Sequence, residues 1–152
     1  MLEGTITVAV TIGSILVFCY WFRYTCRLLL RTATPRDCAE NVAQVHQLGF
    51  PEARLRLRHS ATELERLSAE LDHLRDMLDH DYATLTCLMH QVNGTQEGIE
   101  RRMLAIHYSL MAAGYRASRR ISPAAAQKAL EEMSAVVAYF ANSIGEGAAS
   151  AA

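Results

Sequence analysis

Several features that mark common protein classes are scarce in this sequence of 152 residues. It has four cysteines and no Cys-x-x-Cys pair, which is too few for a fold built from disulfide bonds. Neither charge sign dominates, because 15 lysines and arginines stand against 16 aspartates and glutamates. The resulting net charge of -1 excludes a generally basic nucleic-acid-binding protein. A hydrophobic content of 51% excludes an acidic disordered chain.

Motifs that carry catalysis or hold cofactors are also lacking. The sequence has no phosphate-binding glycine loop, nucleophile elbow or zinc-protease motif. The segment Glu70-Leu71-Asp72-His73 has the E-x-x-H spelling of di-iron proteins, but such sites need two copies and further inward carboxylates. We therefore expect a protein that is not an enzyme, with no cofactor, no metal site, no small-molecule substrate and no nucleic-acid partner.

One long stretch carries no charge at all. Residues 4–22 form an uncharged run whose helix would span roughly 28 Å, close to the hydrocarbon thickness of a bilayer. Aromatic side chains cluster at its end, as in an interfacial belt. A buried soluble helix and a cleaved signal peptide are the alternatives. Cleavage is disfavoured because Glu3 is the only charged side chain before the run and bulky aromatics follow it. We predict a retained transmembrane helix.

Arginines follow this run closely, and they predict its orientation. Because arginines near a membrane end stay cytoplasmic, residues 1–3 should lie outside and the rest of the chain inside the cell (inner) membrane. Arg23, Arg27 and Arg31 would share one helix face and could meet anionic lipid headgroups, although a plain stop-transfer flank is the alternative. The predicted membrane-interface residues are Tyr20, Trp21, Arg23, Tyr24, Arg27 and Arg31.

The strongest periodic signal lies in the middle of the chain. Apolar residues alternate spacings of three and four, with Asp81 as the one break, and this pattern predicts a coiled-coil or bundle helix. Met77, Tyr82 and Met89 widen the stripe in its later half, which indicates packing against more than one helix. The predicted helix-packing or oligomerisation residues are Leu64, Leu67, Leu71, Leu74, Leu78, Leu85, Leu88 and Val92.

Helices are also predicted on both sides of this segment. A first short helix should begin near Thr34-Pro35 and end at Gly49-Phe50-Pro51, with Gly49 as the left-handed residue. The alternating pentad 54–58 has no partner strand and is interpreted as helical or irregular. After a turn at Asn93-Gly94, a second apolar stripe is expected, formed by Ile99, Met103, Ile106, Leu110 and Ala113.

The last helix has both a start and a stop signal. Ser122 is the expected N-cap and Pro123 the first helical residue, while Gly145 should end the helix. Its heptad-spaced stripe comprises Ala126, Leu130, Met133, Val137, Phe140 and Ile144.

The chain as a whole is predicted to be all-α. The expected organisation is a short outer N-terminus (1–3), a transmembrane helix (4–22), a basic juxtamembrane segment (23–34), a cytoplasmic helical hairpin or three- to four-helix bundle (35–144) and a disordered tail (145–152). Whether the heptads pair within one chain or between chains is left open.

A short stretch resembles a known family. His80-Asp81-Tyr82, with Leu85 and Met89 after it, is similar to a segment of the YhcB-type envelope scaffold proteins of bacteria. Those proteins also have an N-terminal span followed by a cytoplasmic coiled coil. The resemblance covers residues 80–89 and the general architecture, the last two helices have no counterpart, and no site residue or partner is carried over.

Together these patterns favour a membrane-anchored scaffold or adaptor. It would contact membrane lipid and either assemble with itself or recruit a protein partner. An accessory subunit of a membrane enzyme or of a secretion or transfer complex is the main alternative, and a small membrane-active protein is a third.

Overall fold

The chain is all-helical in the parts that its computed structural model describes, residues 2–32, 37–59, 67–93 and 98–151. These ranges contain six helices and no strand, which confirms the prediction of an all-α chain. The helices are α1 (Leu2–Thr32), α2 (Asp37–His46), α3 (Phe50–His59), α4 (Leu67–Asn93), α5 (Ile99–Ser118) and α6 (Pro123–Ala151). The chain divides into two compact units, residues 1–32 and 33–152. The first unit is helix α1, and the second is built from α2 to α6.

Helix α6 is the centre of the second unit. It packs against α2, α3, α4 and α5, whereas the other helices have fewer neighbours. The predicted stripe on this helix is confirmed, because all six of its residues are buried. Further buried positions widen that stripe on both sides, as a helix with several neighbours requires. These additional residues are Ala129, Ser134, Val136, Ala141 and Asn142.

The start of α6 follows the predicted capping pattern. The helix begins at Pro123, and the backbone N–H of Ala125 donates to Ser122 Oγ at 3.4 Å. Proline fits this first turn because its missing N–H would have no partner within the helix. The N-cap prediction at Ser122 is therefore confirmed. The start proposed near Thr34-Pro35 for the first helix lies outside the described residues.

The end of α2 differs from the prediction. Helix α2 ends at His46, and Gln47 rather than Gly49 adopts the left-handed conformation, with φ 53°. The N–H of Leu48 then donates to the carbonyl of Ala43 at 2.9 Å, which is the long bond of a Schellman motif. Gly49 is instead a close-packing position, since a Cβ there would overlap the side chain of Met77.

Phe50 and Pro51 begin a helix rather than ending one. They form the first turn of α3, where proline is tolerated because no intrahelical donor is needed. The alternating pentad 54–58 lies within α3, so its helical interpretation is confirmed. Leu57 is buried in this helix while Leu55 is exposed, as expected for residues two apart on a helix.

The predicted helix end at Gly145 is wrong. Helix α6 continues through this glycine to Ala151, so residues 145–151 are helical rather than a disordered tail. A Cβ at Gly145 would lie 2.9 Å from the Cβ of Cys38 and 3.3 Å from its carbonyl oxygen. Gly145 is therefore a point at which α2 approaches α6 closely, and its role is packing rather than helix termination.

Replacing this glycine tests that role. Gly145→Ala should lower the free energy of unfolding by about 1–2 kcal/mol, because the overpacking penalty exceeds the gain in helix propensity. Gly147→Ala is the matched control in the same helix, since nothing lies within 4 Å of a Cβ there. It should be neutral or stabilising. Chemical unfolding of the full chain in detergent, followed by circular dichroism, measures both. Equal effects of the two substitutions would contradict the close approach.

Candidate interaction surfaces

Helix α1 has a long apolar surface. The segment Glu3–Arg31 is long and apolar enough to span a membrane, with a mean hydropathy of 1.9 and 0% of its most apolar window buried. A helix that is apolar all round is stable only in a core or in lipid. The window is not buried like that of a core helix, so the segment is a candidate membrane span.

Three hydroxyl groups in the apolar part of α1 are satisfied within the helix itself. Thr7 Oγ1 donates to the carbonyl of Glu3 at 2.9 Å, Thr11 Oγ1 to Thr7 at 2.8 Å and Ser14 Oγ to Val10 at 2.9 Å. Because hydrocarbon offers no hydrogen-bond partner, an unsatisfied hydroxyl would be costly there. The threonines and serine of this segment are therefore compatible with a lipid environment.

The predicted membrane-interface residues lie along the C-terminal half of α1. All six of their side chains are exposed. Tyr20, Tyr24, Arg27 and Arg31 follow one another at spacings of four, three and four, so they share one face of the helix, and Trp21 lies beside it. One face thus passes from aromatic to basic, as at the interface of a transmembrane helix.

The leucine stripe of α4 is buried within the single chain. Leu71, Leu74, Leu78 and Leu85 are buried, Leu88 is half-buried, and α4 packs against α6 and α3. Leu64 lies outside the described residues. The backbones of Leu67 and Val92 lie in the first and last turns of α4. The described leucines of this stripe therefore pack against other helices of the same chain, and their part in oligomerisation stays a prediction.

Asp81, the one break in that stripe, has a partner on α3. Its carboxylate is buried and accepts the backbone N–H of Phe50 at 2.7 Å, at the first residue of that helix. Burial raises the pKa of Asp81, while its bonds to the amides of Gly49 and Phe50 partly offset the rise. The carboxylate caps the positive end of α3, where N–H groups have no acceptor within the helix. The polar residue at a core position is thus a long-range helix cap.

Paired tyrosines and aspartates link α4 to α5. Tyr108 Oη donates to Asp79 Oδ1 at 2.8 Å, and Tyr115 Oη donates to Asp72 Oδ1 at 2.8 Å. The two tyrosines are seven residues apart, as are the two aspartates, and their order is reversed as antiparallel helices require. Burial raises the pKa of Tyr108 and Tyr115, and the bond to an aspartate adds to each rise. Both therefore remain donors at neutral pH.

Arginines extend this tyrosine–aspartate ladder. Arg75 Nη2 donates to Asp79 Oδ2 at 3.0 Å, and its guanidinium lies 5.8 Å from the centre of the Tyr115 ring. Arg119 Nη1 donates to Asp72 Oδ1 at 2.9 Å. Each carboxylate thus accepts one tyrosine hydroxyl and one guanidinium. The ladder fixes the register of α4 against α5 through directional bonds.

Aromatic stacking completes the contact between these helices and α6. The rings of Tyr82 and Tyr108 are nearly parallel, with centroids 4.0 Å apart, and the ring of Phe140 lies 5.8 Å from that of Tyr82. Tyr82 was predicted to widen the apolar stripe of α4, and it does so by joining α5 and α6. The same signal did not identify Tyr108, whose partners lie on other helices.

The predicted apolar stripe of α5 is not the buried one. Ile99 is 79% exposed, Ile106 55% and Leu110 50%; Ala113 is also exposed, and Met103 is half-buried. The buried face is formed instead by Leu104, His107, Tyr108, Met111 and Tyr115. Hydroxyl partners on α4 make it favourable to bury the tyrosines, and this turns the aliphatic residues outward. Helix α5 therefore presents an exposed apolar face, defined by Ile99, Ile106, Leu110 and Ala113.

The second unit also buries a histidine beside a carboxylate. Nε2 of the buried His107 lies 3.2 Å from Glu132 Oε2, but two groups do not make a metal site. No three His, Cys, Asp or Glu residues are grouped so as to hold a metal ion in the described ranges. Comparison with known proteins gives no match among family models, curated proteins or solved structures.

The buried cap at Asp81 has a measurable contribution to stability. Asp81→Ala should cost about 2 kcal/mol, because it removes the cap and leaves the Phe50 N–H without an acceptor. Asp81→Asn retains an acceptor and serves as the control, with a loss of less than about 1 kcal/mol. Unfolding in detergent compares the two, and a larger loss for asparagine than for alanine would contradict the capping role.

The same residue predicts a pH dependence. A raised pKa means that the folded state holds the Asp81 proton more tightly than the unfolded state. Its contribution to stability is therefore full below the unfolded value of 3.8 and is lost as the pH rises through the folded pKa. As the pH rises through that window, the free energy of unfolding of Asp81→Asn should increase relative to that of the wild type. A difference that does not change with pH would contradict the assignment.

The tyrosine–aspartate ladder is tested by removing single hydroxyls. Tyr108→Phe and Tyr115→Phe should each lower the free energy of unfolding by about 1–2 kcal/mol, since each leaves a carboxylate short of a donor. Tyr139→Phe is the matched control, because its hydroxyl makes only a 3.4 Å exposed contact with Glu100. It should change stability by less than about 0.5 kcal/mol. Three equal effects, measured by unfolding in detergent, would contradict the ladder.

Proposed function

We propose that this chain is a single-pass membrane protein that acts as a helical adaptor or scaffold at the cytoplasmic face of the cell (inner) membrane. Helix α1 would be the anchor, and the second unit would recruit a protein partner or a second copy. The observation that supports this most strongly is the complete exposure of the apolar window of α1. Leaving such a helix in water rather than in lipid would cost a transfer free energy of roughly 25 cal/mol for every Å² of exposed apolar surface.

The orientation in this proposal is supported by charge. Arg23, Arg27 and Arg31 lie at the C-terminal end of α1, while Glu3 is the charged side chain at its other end. Arginines on that side favour retention of the following chain in the cytoplasm. The cysteines of the chain would then meet a reducing compartment, consistent with four free thiols in the structure.

The recruiting role is supported by how the second unit distributes its apolar residues. The described leucines of α4 are mostly buried inside the unit, so we assign them to its folding rather than to assembly with another chain. What remains outside is the exposed apolar face of α5 together with scattered residues such as Val45 and Leu55. A folded unit that is held at a membrane and keeps apolar residues exposed has surface left for binding, as an adaptor needs, and Val45 and Leu55 lie outside the α5 face.

Anchoring is tested by placing charge in α1. Val10→Arg/Leu16→Arg should move the protein out of the membrane fraction, because each arginine near the middle of a span costs about 3 kcal/mol. Val45→Arg/Leu55→Arg is the matched control, since these two apolar residues are exposed in the second unit. The control should stay in the carbonate-resistant membrane pellet. Wild-type protein in the soluble fraction would overturn the proposal.

Recruitment and orientation need separate measurements. Crosslinking of the full-length protein in its native membrane, followed by purification, should trap either a second copy or a defined partner. A stoichiometric enzyme or secretion complex among the products would make the chain an accessory subunit of that complex. A protease-protected C-terminal tag in right-side-out cells is expected, and an accessible tag would reverse the orientation.

A further inference from the structure

We propose that the exposed apolar face of α5 docks on the surface of an anionic lipid bilayer, with Arg102 and Arg116 on the lipid headgroups. This inference rests on the proposed anchoring by α1 and goes beyond it, because it assigns a second, peripheral membrane contact to the other unit. The side chains that would enter the interface are Ile99, Ile106, Leu110 and Ala113.

The face has the shape of an interfacial helix. Its residues recur at spacings of seven, four and three, so they form one continuous stripe along α5. Ile99 and Ile106 are 79% and 55% exposed, although the opposite side of the same helix is packed in the core. A stripe of this kind, bordered by arginines, is typical of helices that lie in the plane of a membrane surface.

Charge is distributed on this face in a way that favours an anionic surface. Arg102 and Arg116 are exposed and fourteen residues apart, so they border the stripe on the same side. Glu100, the acidic residue of α5, lies instead on the side of the helix that faces α6, where it accepts the hydroxyl of Tyr139 at 3.4 Å. Ile121, in the turn after the helix, is 85% exposed and adds an apolar side chain next to Arg120.

A second copy of the chain offers this face one acidic residue for two arginines. In an antiparallel pairing with Ile106 opposite Leu110, Glu100 of one copy would lie level with Arg116 of the other, while Arg102 would lie level with Gly114. Anionic headgroups, by contrast, supply negative charge along the whole stripe.

The proposed anchor would keep a bilayer surface close to the second unit. Helix α2 begins at Asp37 and α1 ends at Thr32, so only residues 33–36 separate the proposed anchor from the second unit. A short tether replaces a bimolecular encounter with a local one and raises the effective concentration of the bilayer. A stripe too small to bind membranes by itself can therefore dock when it is held next to one.

The experiment uses the full chain in nanodiscs that contain brominated lipids, which quench tryptophan inside the bilayer. Trp21 is the only tryptophan, so the wild-type protein reports the insertion of α1. Trp21→Phe/Ile106→Trp reports the α5 face. Trp21→Phe/Ala83→Trp is the matched control, because Ala83 is exposed on α4. The discs are made either from phosphatidylcholine alone or from an equimolar mixture with phosphatidylglycerol.

Docking predicts quenching at position 106 in the anionic discs, little quenching in phosphatidylcholine, and none at position 83. The signal should be lost at about 1 M salt, where the screening length falls to about 3 Å. Arg102→Glu/Arg116→Glu, added to the Trp21→Phe/Ile106→Trp variant, should weaken docking by about thirtyfold or more. Arg58→Glu/Lys128→Glu makes the same change of charge at exposed sites elsewhere and should have no effect.

Other outcomes overturn the inference, and they differ from a failure of the anchor. If Trp21 is quenched in the wild-type protein and the reporter at position 106 is not quenched in its variant, the anchor stands and the docking proposal is wrong. If Trp21 itself is not quenched, the proposed anchoring fails first. If the tryptophan at position 106 becomes buried only when two copies share a disc, or only when a protein is added, the face binds a protein rather than anionic lipid.

Discussion

Helix α6 carries more apolar surface than a single neighbour can cover, and the second unit is arranged around that constraint. Four helices pack against it. Its buried residues span a wide arc, from Ala129 and Val136 on one side to Ala141 on the other. Helix α2 buries Ala39 and Ala43, and Gly145 removes the side chain that would otherwise separate the backbones of α2 and α6. Small residues thus allow the short helix α2 to pack closely against the wide apolar surface of α6.

A second constraint follows from the first, because helices that share α6 must also settle their register with one another. Apolar packing alone tolerates sliding, whereas directional bonds do not. The ladder that joins Tyr108 and Tyr115 to aspartates of α4 sets the register of two long partners of α6. Asp81 performs the same task between α4 and α3, since its carboxylate is directed at the first N–H of that helix. Polar groups therefore specify an arrangement that apolar burial stabilises.

These constraints explain which parts of the structure could be predicted from the sequence. The stripe of α6 and the Ser122-Pro123 start depend on residues close together in the chain, and local spacing and capping chemistry describe them fully. Gly49 and Gly145 look like helix ends in the sequence, but each is a glycine because a residue of another helix lies against it. In the sequence, Asp81 interrupts an apolar stripe, and only the structure shows that its carboxylate caps the N-terminus of α3. The predicted α5 stripe is wrong for a similar reason: tyrosines become core residues once their hydroxyls have partners elsewhere.

The error on α5 also shows where function is to be sought. This helix carries two apolar stripes, and α6 can cover only one of them. The tyrosine stripe takes the buried place because it supplies both apolar surface and hydrogen-bond donors to α4, so the aliphatic stripe is left outside. Ile99, Ile106 and Leu110 are exposed rather than buried in the core, and Arg102 and Arg116 are exposed beside them. Helix α1 is long and apolar enough to span a membrane, and the exposed residues of α5 are the ones on which the proposed second membrane contact rests.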